Sequence, residues 1–117
     1  MQRVFQQSYH VPGTLAANVV IKFTAPMDMQ LVHAQAVASN ASSATIIIGP
    51  STDTDGYLAS ADVGDSSVPA EFDKDDFVST EFPHIVDGTI VVVTVDYDGA
   101  SGTAAADLTV VLTFTEG

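Results

Sequence analysis

The chain has 117 residues, with 15 Asp and Glu against 3 Lys and Arg, and a formal net charge of -12. This length fits a single domain over residues 1–117, which can bury a core without disulfides or metal ions. The absence of Cys excludes disulfides, zinc–thiolate sites and thiol nucleophiles, and the acidity argues against nucleic-acid binding, which depends on Lys and Arg at the phosphates.

The first third of the chain predicts three β-strands. Val, Ile and Thr account for 34 of the 117 residues, and these residue types favour extended backbone. Residues 3–11 alternate between two faces until Pro12-Gly13 ends the pattern, and residues 19–24 do the same up to Ala25-Pro26. A third strand is predicted over residues 31–39.

The middle of the chain has weaker patterns. Residues 40–43 predict a hairpin turn into a strand at 45–48, whose unbroken apolar run indicates burial on both faces. Asp, Ser and Gly dominate residues 51–88, where a short strand is expected near 57–61. A helical turn is expected between Pro69 and Phe77, with aromatic rings covering one end of the fold.

The last third alternates most clearly. Asp87-Gly88 turns into a strand over residues 89–97, and a loop at 98–102 leads to a final strand that continues to residue 115. About eight strands and at most one short helix are therefore predicted. The fold class is all-β, with two packed antiparallel sheets in a β-sandwich. The strands at the two chain ends are expected to lie centrally in their sheets.

Charge is distributed unevenly along the chain. Residues 1–50 carry a net charge of +1, whereas residues 51–117 carry 14 acids against Lys74. Solvated loops that keep the domain soluble are one explanation; a cation site or a charged docking face is the other. The N-terminus lacks the apolar stretch of a signal peptide, and no run reaches the ~18 apolar residues of a membrane span. We therefore expect synthesis in a cytoplasm and no membrane partner.

No catalytic constellation is recognisable. The three histidines, His10, His33 and His84, lack metal-ligand spacing, and His33 is interpreted as a surface or interface residue beside Gln35. The serines lie mostly in turn clusters, and none lies in a Gly-x-Ser-x-Gly elbow. Without Trp, the aromatic platform of a glycosidase is thin. We predict no catalytic, cofactor-binding or metal-binding residues and no enzymatic activity.

One signature, Asp-x-Asp-Gly, occurs twice. It occurs at Asp53 and Asp55, and again at Asp96 and Asp98. Converging carboxylates are typical of calcium sites, but neither copy continues as an EF-hand loop. Asp and Gly are also ordinary residues of tight turns. Turn formation is the favoured interpretation, and whether these loops bind a cation stays open.

Two stretches of the chain resemble a known class of proteins. Residues 31–40 (Leu-Val-His-Ala-Gln-Ala-Val-Ala-Ser-Asn) followed by 44–49, and residues 87–99 through 112–117, look like small jelly-roll head decoration proteins, or auxiliary capsid proteins, of tailed bacteriophages. The resemblance implies a non-catalytic virion protein that binds the major capsid protein and stabilises the capsid. It also implies a location on the capsid surface and a homo-oligomer, with a trimer favoured.

A second function remains open at this point. A carbohydrate- or receptor-binding β-sandwich module, with structural calcium, would have a similar composition. Its distinguishing mark would be an exposed row of aromatic side chains on one sheet beside a metal site. An enzyme of the cupin or glycosidase type ranks third.

Overall fold

The computed structural model of the protein describes residues 3–117, which form a two-sheet β-sandwich. Residues that alternate between apolar and polar side chains form its longest strands, because one side of each strand packs against the other sheet. The strands are β1 (Val4–Thr14), β2 (Val19–Thr24), β3 (Met29–Val37), β4 (Thr45–Pro50), β5 (Leu58–Asp62), β6 (Ala70–Phe72), β7 (His84–Ile85), β8 (Ile90–Asp96) and β9 (Ala106–Glu116).

The strand order is that of a jelly roll. Sheet A has the order β1-β9-β3-β6, with the two-residue β7 also paired to β3, and sheet B has the order β2-β8-β4-β5. All of these strand pairs are antiparallel. The chain therefore passes repeatedly from one sheet to the other, as in a double Greek key. The predicted all-β sandwich is confirmed.

The core lies between the two sheets and is apolar. Within residues 3–117 no polar or charged residue is buried. Phe114 of β9 is fully buried; its ring stacks on Phe5 of the same sheet at 5.4 Å and meets Phe23 of sheet B edge-on at 5.9 Å. The alternation predicted for the last strand is confirmed, since Leu108, Val110 and Leu112 are also buried.

Three predictions about individual segments are wrong. Residues 40–43 do not form a hairpin, because β3 belongs to sheet A and β4 to sheet B, so this segment crosses between the sheets. Ile47 is only half-buried, because it lies on the outer side of β4. The expected helical turn is replaced by β6 and turns, with one 3₁₀ turn at Val78–Thr80; Phe72 and Phe77 are nevertheless buried.

The predicted position of the terminal strands is half correct. β9 is central, but β1 lies at the edge of sheet A, and among residues 3–117 it pairs only with β9. Pro12-Gly13 does not end β1. The two residues lie in a register shift between Val11 and Thr14, and pairing with β9 resumes at Thr14. Such a bulge accommodates an irregular residue at a sheet edge. The short strand predicted near residues 57–61 corresponds to β5 and is confirmed.

Candidate functional site

Most of the negative charge lies in the connections between strands. Of the 15 acidic residues, ten are outside the strands. They are Asp28, Asp53, Asp55, Asp65, Asp73, Asp75, Asp76, Glu81, Asp87 and Asp98. Because connections in a jelly roll run at the ends of the sandwich, the flat outer sides of the two sheets are left with less charge.

The outer side of sheet A carries little charge, and we call it the sheet-A face. Its members follow from strand register, since residues directly opposite one another on antiparallel strands point to the same side. They are Val4, Gln6, Ser8, His10, Gln30, His33, Gln35, Val37, Glu71, His84, Thr109, Val111, Thr113 and Thr115. Glu71 is the one carboxylate among them.

Cross-strand hydrogen bonds order the polar side chains of the sheet-A face. The Gln6 amide Nε2 donates to the Thr113 hydroxyl over 3.1 Å. His10 Nδ1 and the Thr109 hydroxyl lie 2.8 Å apart. These two pairs link side chains of β1 to side chains of β9 across the face.

All three histidines lie on the sheet-A face. His33 is half-buried, and its Nε2 lies 3.3 Å from the Glu71 carboxylate, an ion pair when the imidazole is protonated. A register shift between Leu31 and His33 turns the imidazole outward, whereas strict alternation would place it on the buried side with Leu31. His10 and His84 are exposed.

The two Asp-x-Asp-Gly loops build turns at opposite ends of sheet B. Asp96 Oδ1 accepts from the backbone N–H of Asp98 at 3.4 Å and of Ala100 at 3.3 Å. In the other loop, a hydrogen bond with Asp55 is the main cause that raises the pKa of the Asp53 carboxyl. Asp96 ends β8 and Asp98 follows it, whereas Asp53 and Asp55 follow the antiparallel β4, so the two copies do not converge.

A carboxylate outside these loops joins three segments. Asp107 Oδ1 accepts from the backbone N–H of Gly13 at 2.8 Å, and Oδ2 accepts from the Ser39 hydroxyl at 2.9 Å. Both hydrogen bonds lower the pKa of the Asp107 carboxyl, and the bond from Gly13 has the larger effect. The backbone of Asp107 has a positive φ of 52°, a conformation that its short polar side chain tolerates.

Residues 3–117 offer little support for a metal site, a ligand pocket or a membrane-spanning helix. No three His, Asp or Glu side chains of residues 3–117 are grouped to hold a metal ion. A shallow depression of about 280 Å³ on the outer side of sheet B is lined by Asn18, Thr45, Ile47, Thr94 and Asp96. Its one titratable side chain, Asp96, already caps the turn described above. No helix of residues 3–117 is long and apolar enough to span a membrane.

The aromatic side chains do not form an exposed row. All nine lie within residues 3–117, and eight are buried or half-buried. Phe82, in a loop, is the exception, with 38% of its surface exposed. The structural mark of a sugar-binding module is therefore not seen in the described part of the chain.

The sequence predicts no site residues, and the sheet-A face is visible only in the folded chain. Its members come from five strands and are ordinary residues individually. The signal in the sequence is the absence of acids in two of the three longest strands: residues 4–14 and 29–37 contain no Asp or Glu, and β9 carries its two acids near its ends, at Asp107 and Glu116.

Comparison with known proteins yields a match of fold. No protein-family model matches the chain, and no curated protein matches it. A chain in the solved capsid asymmetric unit of cyanophage Pam1 has a similar structure, with a TM-score of 0.56 and 15% sequence identity. The match covers 99% of this chain and 85% of that one.

Proposed function

We propose that the chain is a non-catalytic phage virion protein: a capsid decoration, or auxiliary head, protein that binds the major capsid protein and stabilises the capsid. The observation that carries the proposal is a jelly roll that matches, over 99% of its length, a chain of the cyanophage Pam1 capsid asymmetric unit. The protein is made in the host cytoplasm and acts on the capsid surface.

The sheet-A face is the capsid-binding surface in this proposal. Charged residues are depleted in the cores of protein interfaces, because their desolvation is costly. In a chain of net charge -12, the sheet-A face carries Glu71 as its one carboxylate, and His33 lies beside it. The acidic connections at the ends of the sandwich then remain in water.

The capsid-bound protein is a homo-oligomer, and we expect a trimer. A small sandwich gains buried area and valency by association. Light scattering on the purified protein should give three times the 12.2 kDa chain mass. A strictly monomeric species at high concentration would contradict this part of the proposal.

Binding to capsids tests the function directly. Purified protein is mixed with expanded capsids of its phage that lack it, and the mixture is sedimented. The protein should pellet with the capsids at a saturable ratio and raise their melting temperature, because a ligand that binds only the assembled state stabilises it. Absence of binding to these capsids would refute the function.

Paired variants test the surface. Val111 lies at the centre of the sheet-A face, and Val111→Glu adds a carboxylate there. We expect capsid affinity to fall at least tenfold. Val111→Thr should keep it, because the face is already rich in Thr. Thr24→Glu, on the outer side of sheet B, is the matched charge control. Equal loss in both Glu variants would show that net charge, and not this face, governs binding.

A further inference from the structure

Strand β1 is an open sheet edge whose regular part, residues 4–11, lacks the usual protection, since Pro12 and the register shift beside it protect only the end of the strand. Natural proteins protect edge strands by shortness, by charge, by Pro or by a β-bulge, since exposed backbone groups pair with other chains. The other edges follow this rule: β2 has six residues and includes Lys22, β5 has five and ends at Asp62, and β6 has three and includes Glu71. β1 has eleven residues, Val4–Thr14, and carries no Asp, Glu, Lys or Arg.

The backbone groups that face this edge can be identified. The N–H of Glu116 donates to the carbonyl of Arg3 at 2.9 Å, so odd-numbered residues of the regular part of β1 bond to β9. Because bonding alternates along an antiparallel strand, the even-numbered residues direct their N–H and C=O groups away from β9. They are Val4, Gln6, Ser8 and His10, and no backbone hydrogen bond within residues 3–117 reaches these groups from another strand or loop.

We propose that β1 pairs antiparallel with β1 of a second copy of this chain, about a twofold axis through Gln7. In this register Val4 lies opposite His10 of the second copy and Gln6 lies opposite Ser8, so every outward N–H and C=O of these residues gains a partner. Pro12, which has no N–H, falls outside the paired segment. A shift by two residues would place Pro12 opposite Val4 and lose a hydrogen bond.

Two observations favour a second copy of this chain as the partner of β1. The strand can pair with itself in the register given above, and this contact brings few charges together. Two chains of net charge -12 repel each other, and contact costs least where no carboxylate is brought close. Along β1 there is no Asp, Glu, Lys or Arg; at its start Arg3 lies 3.7 Å from Glu116, and near its end Asp107 accepts a hydrogen bond from Gly13.

The pairing also has the geometry that a capsid surface requires. Outward-facing residues pair with outward-facing residues, so the sheet-A faces of the two copies point to the same side of one continuous sheet. This consequence rests on the proposed function, in which that face contacts the capsid. The twofold contact differs from the threefold axis of a trimer, and it would link neighbouring trimers.

The contact is small. About seven residues a side take part, fewer than the 20–30 of a standard interface, so the pair is weak in free solution. On a capsid, neighbouring copies are held at a high effective concentration, at which weak contacts form. The test therefore has to trap a transient pair.

Cysteine cross-linking traps the transient pair in a specified register. Since the chain has no Cys, an introduced cysteine can form a disulfide only with the same cysteine of a second copy. In the proposed pair the two copies of residue 7 are non-bonded partners, with Cα atoms about 4.5 Å apart, within disulfide range. The two copies of residue 9 are offset by about 13 Å, beyond that range. Mild oxidation at millimolar concentration should link Gln7→Cys into a dimer at least tenfold faster than Tyr9→Cys. No dimer of folded Gln7→Cys, or equal rates for both variants, overturns the proposal.

Two second-site variants distinguish edge pairing from face-to-face contact. In the Gln7→Cys background, Ser8→Pro removes an outward N–H without removing a bond to β9, and should slow cross-linking at least tenfold. Val111→Glu, opposite Ser8 on β9, should leave it unchanged. Loss with Val111→Glu and not with Ser8→Pro overturns the proposal. Circular dichroism and melting temperature establish that each variant is folded. Capsids are absent, so the outcome is independent of capsid binding.

Discussion

Replacement of Phe114 by alanine tests whether the two sheets are held together at one aromatic cluster. The ring is fully buried in β9, stacks on Phe5 and meets Phe23 of the opposite sheet edge-on. Deleting a buried Phe side chain costs about 3–5 kcal/mol, a range that includes the cavity. Aromatic pairs add about 0.5–1.5 kcal/mol each. We therefore expect a loss of about 4 kcal/mol or more.

This loss is large beside the total stability. A chain of 117 residues has an unfolding free energy of roughly 6–17 kcal/mol. Its unfolding entropy near the midpoint is about 0.25 kcal/mol/K, so a loss of about 4 kcal/mol lowers the melting temperature by roughly 16 °C. Urea titration and calorimetry measure both quantities. Protein concentration is held fixed, because association makes the melting temperature depend on it.

Two other Phe variants provide the comparison. Phe5 is half-buried on the edge strand, and Phe5→Ala should cost about 1–2 kcal/mol. Phe82 is in a loop, and Phe82→Ala should cost within about 0.5 kcal/mol. A loss for Phe114→Ala that is no larger than that for Phe5→Ala would refute the idea that this cluster joins the sheets.

Three further predictions concern turns and loops. Asp107→Asn should lower the melting temperature at pH 7. Since folding lowers the pKa of this carboxyl, its stabilisation is complete above the unfolded value of about 3.9, and the difference from wild type should shrink on acid titration below that value. Gly49→Ala should destabilise more than Gly88→Ala: a Cβ at Gly49 overlaps the backbone of Asp53, whereas at Gly88 the space is open and only the positive φ of 88° strains an alanine, at a cost of about 1–2 kcal/mol; equal melting temperatures would contradict this packing. Calcium or a chelator should leave the melting temperature unchanged if the Asp-x-Asp-Gly loops only build turns, and a rise with calcium would identify a cation site.

Local patterns in the sequence were informative wherever a strand has one buried side. The alternation of β2, β8 and β9 follows from the period of two in an extended chain, and each of these strands was predicted within two residues. The turn at Asp87-Gly88 was equally evident. The short segment around β6 was not, because its three residues are stabilised by pairing with β3, which is distant in sequence.

The candidate surface could not be predicted from local sequence. His10, His33 and His84 are separated by more than 20 residues from one another, and only the pairing of β1, β9, β3 and β7 places them on one side of sheet A. For His33 the face depends on a register shift in the middle of β3, which no spacing of side chains indicated.

Composition and the period of two along the strands were enough to predict the fold class and the acidic connections, because they express which side of each strand is buried; the absence of Cys alone excluded cysteine chemistry. Which sheet each strand joins was visible only in the folded chain. Strand order depends on long-range backbone pairing, which leaves no local periodic signal. The tertiary structure placed β1 at an open edge instead of the centre, and it sent residues 40–43 across the sandwich. It also gathered the few outward positions without acids into one face, so that a net charge of -12 coexists with a nearly uncharged surface.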